Sequence, residues 1–422
     1  MKLHAIVLSL LAAPAVLAAG AYVGTAPLTV TNVAATRDPG THRLRVTYDL
    51  ANENNEPAYV TFDVQTNGVS IGWDKFRSMS GDVTKLSDPH PVECGTGREF
   101  AWNAPADWPG HLVDDVAVSV TAHYTNAIGR IPGVYMAIDL SGGADAPSYP
   151  VSYSFEGPDK ADSTKPWAKD MLWLRCIGPG TFEMGSPADA EAGRRSNEVL
   201  HRVTLTKPFY IGVFEVTEYQ YRQVMGSLPS GLTTPWGDAK PVTRCSYNIL
   251  RGTTYSWPAS AEVDAGTFLG RLRAKTGLDF DLPTEAQWEY ACRAGVQAVL
   301  PNGKAATAND EASSLWLRYI AWFKGNRGSS AGPAEIGSKA PNNWLLYDMI
   351  GNVYEPVLDW YAADVSAYAA DPVGPTSGSS RILRSGALDA DYNWCRSAFR
   401  LDWNPATTHQ SLGFRIGLTP DR

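Results

Sequence analysis

Apolar and polar residues alternate in short runs over the first third of the chain. The alternation is clearest at residues 28–33, 44–48, 59–64 and 116–121, where β-branched residues are frequent. A period of two predicts strands that bury one side and expose the other. Because turn residues separate these runs within residues 22–155, we predict an all-β sandwich of the immunoglobulin or fibronectin type there. The sequence of this predicted sandwich shows no cluster of His, Asp or Glu that would make a catalytic site, which indicates a spacer or adhesion module.

The pattern changes after residue 155. Residues 156–170 are polar and contain Gly157, Pro158 and Pro166. This composition is typical of an exposed linker between domains. We therefore place a second domain at residues 171–422.

Helix signals are limited to a few segments of the second domain. Residues 216–225 and 284–293 each begin near a Thr that can cap the first turn and are followed by a Gly. A third segment, 261–276, places its apolar residues on one face. The rest consists of short strand patterns and Gly-rich loops, so we predict an α+β domain with little regular structure.

The first 21 residues have the composition of a secretory signal peptide. A positive start at Lys2 precedes an apolar run over residues 5–17 and the small residues of a cleavage site. The run is interrupted at Pro14 and is shorter than the roughly 20 apolar residues that a membrane-spanning helix needs. A signal anchor or a lipoprotein is the alternative, but no Cys follows the run to accept a lipid. We predict a secreted, periplasmic or cell-surface protein without a membrane span.

Charge and cysteine content exclude further classes. The chain has 36 basic and 44 acidic residues and a formal net charge of −8. Without a long basic run, binding to a phosphate backbone has no electrostatic driving force, so we expect no nucleic-acid partner. Its five cysteines are too widely spaced for a CxxC metal motif. In an oxidising compartment one or two disulfides could form, but spacing alone identifies no pair.

Short motifs in the second domain follow an order that is known from one family. They are Gly180-Thr181-Phe182-Glu183-Met184-Gly185, Phe209-Tyr210-Ile211-Gly212, Leu282-Pro283-Thr284-Glu285, Leu346-Tyr347-Asp348-Met349-Ile350-Gly351-Asn352-Val353, Cys395-Arg396-Ser397-Ala398-Phe399-Arg400 and Gly413-Phe414-Arg415. Together they resemble the formylglycine-generating enzyme, or sulfatase-modifying-factor, superfamily. The resemblance covers nearly all of residues 171–420 and implies an elaborated C-type-lectin-like core.

The resemblance also implies what an oxidase of this family would need. Such members hold copper with two thiolates late in the chain, and soft sulfur ligands select Cu(I). Counting forward from Arg384 places the two Cys positions at Ala390 and Cys395. Counting backward from Arg400 moves Cys395 off its position, so neither alignment contains a thiol pair. We therefore expect no bound copper and no catalytic residues.

Three further positions depart from the family pattern in the same direction. Ala387 stands where the family has an active-site Ser. Tyr354 and Pro356 stand where it has two Trp. These changes favour a protein that is not an enzyme.

A structural calcium site is implied by the same resemblance. Asp348 and Glu355 would supply carboxylates, and Gly351 and Val353 main-chain carbonyls, in a tight turn that offers several hard oxygen ligands. The resemblance also implies that Asn326 would belong to a second calcium site. The alternative is that the two acids only cap the turn or form salt bridges.

The family resemblance further implies a disulfide. Cys292 lies in a segment whose family counterpart often bridges to the strand near Cys395. Secretion favours this bridge, and two buried free thiols are the alternative.

The C-terminal stretch is rich in aromatic and polar residues, and in C-type-lectin-like folds it forms the ligand face. The candidate binding residues are Tyr354, Leu388, Asp389, Tyr392, Asn393, Trp394, Phe399, Leu401, Asp402, Trp403, Thr407, Thr408 and His409. Exposed aromatic residues beside polar ones make adaptable contacts at low entropy cost. The alternative is that Trp394, Phe399 and Trp403 are core aromatics. The pattern resembles the variable proteins of diversity-generating retroelements.

Three functions remain open at this point. The leading hypothesis is a secreted binding protein whose sandwich presents a recognition domain to a protein, peptide or glycan ligand. The second is a copper-dependent oxidase that converts a sulfatase Cys to formylglycine. The third is a structural component of an envelope or matrix.

Overall fold

The structure, a computed structural model, describes most of the chain beyond the N-terminal segment. The described residues are 28–66, 69–85, 89–111, 116–125, 129, 131–159, 169–188, 193–304, 311–328 and 332–420. The predicted signal peptide and residues 160–168 of the predicted linker lie outside them. Among the described residues, no helix has the length and apolar character needed to cross a bilayer.

The first domain is built from two antiparallel sheets. Strands β1 (Thr29–Arg37), β2 (Leu44–Ala51), β6 (Gly95–Trp102) and β5 (Met79–Gly81) form one sheet in that order. Strands β4 (Val69–Ser70), β3 (Ala58–Thr66) and β7 (Val116–Tyr124) form the other. A short helix, α1 (Ala104–Asp107), follows β6.

The predicted alternation explains the core of this domain. In β2 every second residue is buried, and the same holds along β3. Inward side chains of both sheets, including Val46, Phe62 and Phe100, belong to one hydrophobic cluster. The four predicted strands are therefore confirmed, and the all-β character of this part follows from local sequence pattern.

The boundary between the domains lies earlier than predicted. Strands β8 (Tyr135–Asp139) and β9 (Val151–Ser154) join β10 (Met171–Ile177), β13 (Phe209–Gly212) and β17 (Gly417–Leu418) in a five-stranded sheet, with the order β17-β13-β10-β8-β9. The β8 strand pairs with β10 over five residues. The predictions of a sandwich up to residue 155 and of an interdomain linker at 156–170 are therefore wrong. The latter segment connects two strands of one sheet.

Short elements complete the second domain. The remaining strands are β11 (Gly180–Met184), β12 (His201–Leu205), β14 (Glu355–Trp360), β15 (Arg381–Arg384) and β16 (Leu401–Trp403). The helices are α2 (Glu218–Met225), α3 (Tyr247–Arg251), α4 (Phe268–Thr276), α5 (Glu285–Arg293) and α6 (Glu311–Ile320). The β11–β12 hairpin and the three-stranded sheet β14-β15-β16 stand apart from the five-stranded sheet. The predicted α+β character is confirmed.

Helix capping follows the sequence signals closely. Thr217 and Thr284 each form a complete capping box with a Gln three residues later, as their motifs predict. The third predicted helix is shorter than expected, because α4 begins only after Thr267. The Thr267 hydroxyl donates to the Asp264 carbonyl (2.7 Å) and accepts from the Gly270 amide (3.1 Å), which fixes a turn and then the cap. Helices α3 and α6 were not predicted.

The two domains pack directly against each other. The Trp73 ring of the first domain lies 5.4 Å from the Trp344 ring and 5.9 Å from the Arg175 guanidinium of the second. Gly178 packs against Trp73, since a Cβ there would approach the indole to 2.5 Å. The first domain is therefore docked on the second through an aromatic contact.

Candidate functional site

The segment in which the family resemblance would place the copper ligands of an oxidase begins at the end of β15. Ser385 and Gly386 both have positive φ angles, and they turn the chain into the core. The Ser385 hydroxyl donates to the Gly351 carbonyl (2.8 Å), and the Leu388 amide donates to the Asn352 carbonyl (2.9 Å). Gly386 is required here because a Cβ would lie 2.8 Å from the Cys395 sulfur.

Cys395 is enclosed rather than placed in an open cleft. The side chains of Ala387, Ala390 and Cys395 are all buried. Burial raises the pKa of the Cys395 thiol to about 12. Cys395 is the one Cys in the sequence between residues 384 and 400, so no second thiol of this segment accompanies it.

The predicted disulfide is not formed. Cys292 and Cys395 are both buried free thiols in the same hydrophobic cluster. Burial raises the pKa of Cys292 to about 12 as well, so both side chains act as small apolar groups in the core. This arrangement corresponds to the alternative given with the prediction.

Three of the predicted binding residues lie in the core. Leu388 and Phe399 are 2% and 0% exposed, and Tyr354 is 8% exposed. Burial also raises the pKa of the Tyr354 phenol above its ordinary value. The structure therefore corrects the prediction for these three residues, whose side chains support the surface from below.

The other ten predicted residues retain access to solvent. They are Asp389, Tyr392, Asn393, Trp394, Leu401, Asp402, Trp403, Thr407, Thr408 and His409, and we call the surface they form the C-terminal face. Its larger apolar side chains, Tyr392, Trp394, Leu401 and Trp403, are partly buried against one hydrophobic core. Each therefore has a packed side and an accessible side.

One half of the C-terminal face centres on Trp394. Its ring stacks on Phe399 with centroids 5.4 Å apart, and the Arg195 guanidinium lies 4.7 Å from the Trp394 ring. Arg195 is partly exposed and belongs to the loop between β11 and β12. A cation against an aromatic face stabilises both by about 0.5–1 kcal/mol at such sites. Arg195 thus belongs to the C-terminal face, although the sequence analysis did not predict it.

The other half centres on Trp403. Its indole nitrogen donates to the Thr407 carbonyl (2.9 Å), and the His409 ring packs edge-on at 6.1 Å. Asp389 accepts from the Ser411 hydroxyl (2.7 Å), which ties it to the chain just after His409. These contacts hold an aromatic ring, an imidazole and a carboxylate near one another on a preorganised loop.

A buried ion pair fastens the β11–β12 loop beneath Trp394. The guanidinium of Arg396 forms two bonds to Glu198, of 2.8 Å and 2.6 Å, and both side chains are 0% exposed. Glu198 also accepts from the Ser186 hydroxyl (2.8 Å), and Arg396 donates to the Gly193 carbonyl (2.9 Å). No periodic pattern around residue 198 signals this role, because the partner is nearly 200 residues away.

Two more buried arginines, one before and one after Arg396 in the chain, are anchored on α5. Arg384 bonds Glu285 at 3.0 Å and Glu289 at 2.7 Å, and Arg400 bonds Glu285 at 2.7 Å. All four side chains are buried. Breaking such a pair leaves an uncompensated charge in the interior, so the network fixes the segment from 384 to 400 relative to the helix.

The residues of the predicted calcium site are engaged in other bonds. Glu355 accepts from Arg415 Nη2 (2.9 Å) and from Trp288 Nε1 (2.6 Å). The Gly351 carbonyl accepts from Ser385, and Asp348 accepts from the Gly337 amide (2.5 Å). Over the described ranges, no group of three or more acidic, His or Cys side chains is arranged to hold a metal ion. A calcium ion needs six to eight oxygens, and this donor set does not fit it.

A third carboxylate, that of Glu215, lies beside the same turn and is also hydrogen-bonded within the protein. Glu215 is buried beside the turn and accepts from Asn352 Nδ2 (2.6 Å) and the Val353 amide (3.2 Å). Burial, and then the charges of Asp348 and Glu355, raise the pKa of Glu215 well above its ordinary value. At the predicted second site, Asn326 accepts from the Phe323 amide (2.8 Å) and so caps a turn. Calcium binding here stays a prediction from family resemblance alone.

The fold and the site together define a class of protein. The second domain combines a five-stranded sheet, a capped helix over a buried arginine cluster and a loop-rich C-terminal face. The chain matches the family "Sulfatase-modifying factor enzyme 1-like domain" over residues 160–419, more than half of its length. It therefore belongs to this family.

Several relatives of known name match part of this chain. Formylglycine-generating enzyme from Mus musculus is 33% identical over 140 residues, covering 32% of this chain and 38% of the mouse protein. The enzyme of the same name from Thermomonospora curvata is 32% identical over 149 residues, covering 33% of this chain and 49% of the relative. "Serine/threonine-protein kinase pkn1" from Chlamydia pneumoniae is 28% identical over 272 residues, covering 63% of this chain and 40% of the relative. The chain thus spans less than half the length of each.

Two solved structures are similar to the second domain. Treponema denticola variable protein 1 aligns with a TM-score of 0.47 and 26% identity, covering 59% of this chain and 96% of that protein. PvdO from Pseudomonas aeruginosa aligns with a TM-score of 0.48 and 26% identity, covering 59% of this chain and 94% of that protein. No property of the site is inferred from these two likenesses.

Proposed function

We propose that the chain is a secreted, non-catalytic recognition protein whose C-terminal face binds a protein, peptide or glycan ligand. The observation that carries this proposal is the complete burial of Cys395, which has no second Cys within the segment 384–400 where an oxidase of the family would need an accessible thiol pair. The N-terminal sequence supports secretion, and the docked first domain would serve as an immunoglobulin- or fibronectin-like spacer. In this proposal the face is a variable one, as in the proteins of diversity-generating retroelements.

The composition of the C-terminal face supports recognition. Interfaces are enriched in Trp, Tyr and Arg, and the face offers Trp394 with Arg195 on one side and Trp403 with His409 on the other. The ion pair between Arg396 and Glu198 and the bond from Trp403 to Thr407 keep these groups in place before a ligand arrives. Preorganisation of this kind lowers the entropy cost of binding.

Recognition is tested by substitution on the face. Ligands selected with the full chain from glycan and peptide arrays should bind the Trp403→Ala variant about tenfold or more weakly, because aromatic anchors dominate binding energy. The matched control is Tyr255→Ala, which removes an exposed aromatic side chain outside the C-terminal face. Array ligands that bind both variants as tightly as the parent chain would show that the C-terminal face is not the recognition surface.

A copper-dependent oxidase is the second candidate, favoured by the identity to formylglycine-generating enzymes. A titration with Cu(I), followed by incubation with a Cys-containing sulfatase peptide and oxygen, separates the two functions. We expect neither stoichiometric copper binding nor formylglycine in the peptide. Copper binding that disappears in Cys395→Ser, together with formylglycine formation, would establish the oxidase and refute the recognition protein without catalysis.

A further inference from the structure

The guanidinium of Arg195 is held by two aromatic rings at the C-terminal face. Its central carbon lies 4.7 Å from the centre of the Trp394 ring and 5.0 Å from that of Phe399, and these two rings stack 5.4 Å apart. The three groups therefore form a compact triangle. Contact with both rings restricts the rotamers of the long side chain, so its position is set before a ligand binds.

The main chain of Arg195 is fixed as well. Its amide donates to the Glu198 carboxylate (3.3 Å), and its carbonyl accepts from the Glu198 amide (3.1 Å). Glu198 is itself locked in the buried ion pair with Arg396 (2.6 Å). Because Arg396 already neutralises this carboxylate, Glu198 does not compensate the charge of Arg195.

The hydrogen-bonding capacity of the Arg195 guanidinium is unused. The neighbouring Arg194 side chain donates to the main-chain carbonyls of Ser186 (3.1 Å) and Glu198 (3.3 Å). For Arg195, by contrast, the described part of the chain supplies the two ring contacts and no hydrogen bond or ion pair to the guanidinium. An arginine presents its N–H donors in a planar fork that matches a carboxylate. Arg195 is partly exposed, so these donors are available to a ligand.

Tyr354 provides a second unused donor in the same region. Its side chain is only 8% exposed, and its phenol forms no hydrogen bond with any residue of the described ranges. Burial, and then Cys395 and Asp389, raise the pKa of this phenol, whereas the Arg195 charge lowers it. The guanidinium therefore lies within electrostatic range of the hydroxyl. A largely buried hydroxyl without a partner is stabilised by an acceptor that a ligand brings.

Charge and access decide which anion suits these donors. Asp389 also lies within electrostatic range of the Tyr354 phenol, and its bond to the neutral Ser411 hydroxyl (2.7 Å) leaves its negative charge in place. It repels a dianion such as phosphate more strongly than a singly charged carboxylate. The burial of Tyr354 leaves a narrow approach to its hydroxyl, which a slim Glu or Asp side chain can enter. A uronic acid, in contrast, carries its carboxylate directly on a sugar ring.

We propose that Arg195 and Tyr354 form the subsite in which the C-terminal face binds the carboxylate of an acidic side chain of a peptide or protein. This assignment rests on the function proposed above, because it names the ligand class of the same face. In the complex the guanidinium donates to both carboxylate oxygens, and the phenol donates to one of them. Trp394 and Phe399 are positioning residues that keep the guanidinium in place.

The test measures binding of the full chain to a peptide array in which each peptide is paired with a copy that has Gln and Asn in place of Glu and Asp. Among the peptides that bind, we expect neutralisation to weaken binding about tenfold or more, as for loss of a charge-assisted hydrogen bond. Arg195→Gln should weaken binding of the acidic peptide by the same factor and leave binding of its neutral copy unchanged. Arg195→Lys should restore part of the loss, because it keeps the charge without the fork.

Two further variants make the outcome specific. Tyr354→Phe keeps the packed ring and should weaken binding of the acidic peptide about threefold, with no effect on the neutral copy. Arg202→Gln removes an exposed arginine of β12 that is not part of the C-terminal face, and it should change neither. The comparison of acidic and neutral peptides also tests the proposal on the parent chain, without any variant.

Several results would overturn the proposal. One is equal binding of the acidic peptide by Arg195→Gln and the parent, and another is equal binding of acidic and neutral copies. Tighter binding of peptides with phosphoserine in place of Glu would overturn the assignment to a carboxylate. Dependence on Arg195 for uronic acid glycans alone would overturn the assignment to a peptide.

Failure of this assignment is distinguishable from failure of the proposed function. If the C-terminal face is not a recognition surface, no ligand responds to Trp403→Ala. If the face binds ligands but the carboxylate subsite is wrong, ligands respond to Trp403→Ala and not to Arg195→Gln.

Discussion

The ion pair between Arg396 and Glu198 is the contact whose removal should disturb the C-terminal face most directly. Replacing Arg396 with Ala removes both bonds to the carboxylate and the bond to the Gly193 carbonyl. Glu198 would remain buried, with only the Ser186 hydroxyl (2.8 Å) and the Arg195 amide (3.3 Å) as donors. The loop that carries Arg195 would also lose its anchor beneath Trp394.

The expected cost follows from complete burial. Both side chains are 0% exposed, so solvent cannot compensate the remaining charge. Loss of one partner of such a pair destabilises a protein by about 3–5 kcal/mol. Arg396→Lys keeps the charge but loses the two-point geometry, so its cost should be smaller. In the double variant Glu198→Leu/Arg396→Met no charge is left unpaired, and its cost should fall well below the sum of the single costs.

Urea unfolding followed by Trp fluorescence measures these costs in the transition of the second domain. With a denaturant slope of roughly 3 kcal/mol per molar, Arg396→Ala should lower the midpoint by about 1–2 M. A shift below about 0.3 M, or a double variant as unstable as the sum of the single ones, would refute the conclusion that this pair holds the loop. The Arg396→Ala variant should also bind ligands of the C-terminal face more weakly.

Three further predictions concern titration, thiols and calcium. Burial, and then the charge of Glu285, raise the pKa of Asp359 from 3.8 to about 7, so between these pH values the folded protein binds a proton that the unfolded chain releases. The free energy of unfolding should therefore fall by about 4 kcal/mol as pH rises from about 4 to 7. Asp359→Asn should remove that loss in urea unfolding, and a pH profile that is the same in the variant and the parent would contradict this. Thiol titration of the unfolded chain should find all five cysteines free, whereas three would reveal a disulfide. Because Arg415 is paired with Glu355, we expect calcium or a chelator to shift the thermal midpoint by less than about 1 °C. A rise of several degrees with calcium would show that the protein binds calcium, as the family resemblance implies.

Local features of this protein were determined by the sequence itself. The strands at 44–51 and 58–66 follow from alternation, since neighbouring residues of a strand point to opposite sides. The starts of α2 and α5 follow from Thr217 and Thr284, whose caps act within a single turn. The family, too, could be recognised from short motifs alone.

Contacts between distant residues were decided only by the tertiary structure. Residues 135–139 and 151–154 lie in the stretch predicted as the sandwich, yet they join the five-stranded sheet, where β8 pairs with β10 and β9 pairs with β8, because strand pairing depends on partners that no local pattern identifies. The pair of Arg396 with Glu198 spans 198 positions in the chain. Aromatic content predicted a face, but packing determined that Phe399 is buried while Trp403 keeps an accessible side. An aromatic residue is the same chemical group in a core and on a surface, so its identity alone does not determine whether its side chain is buried.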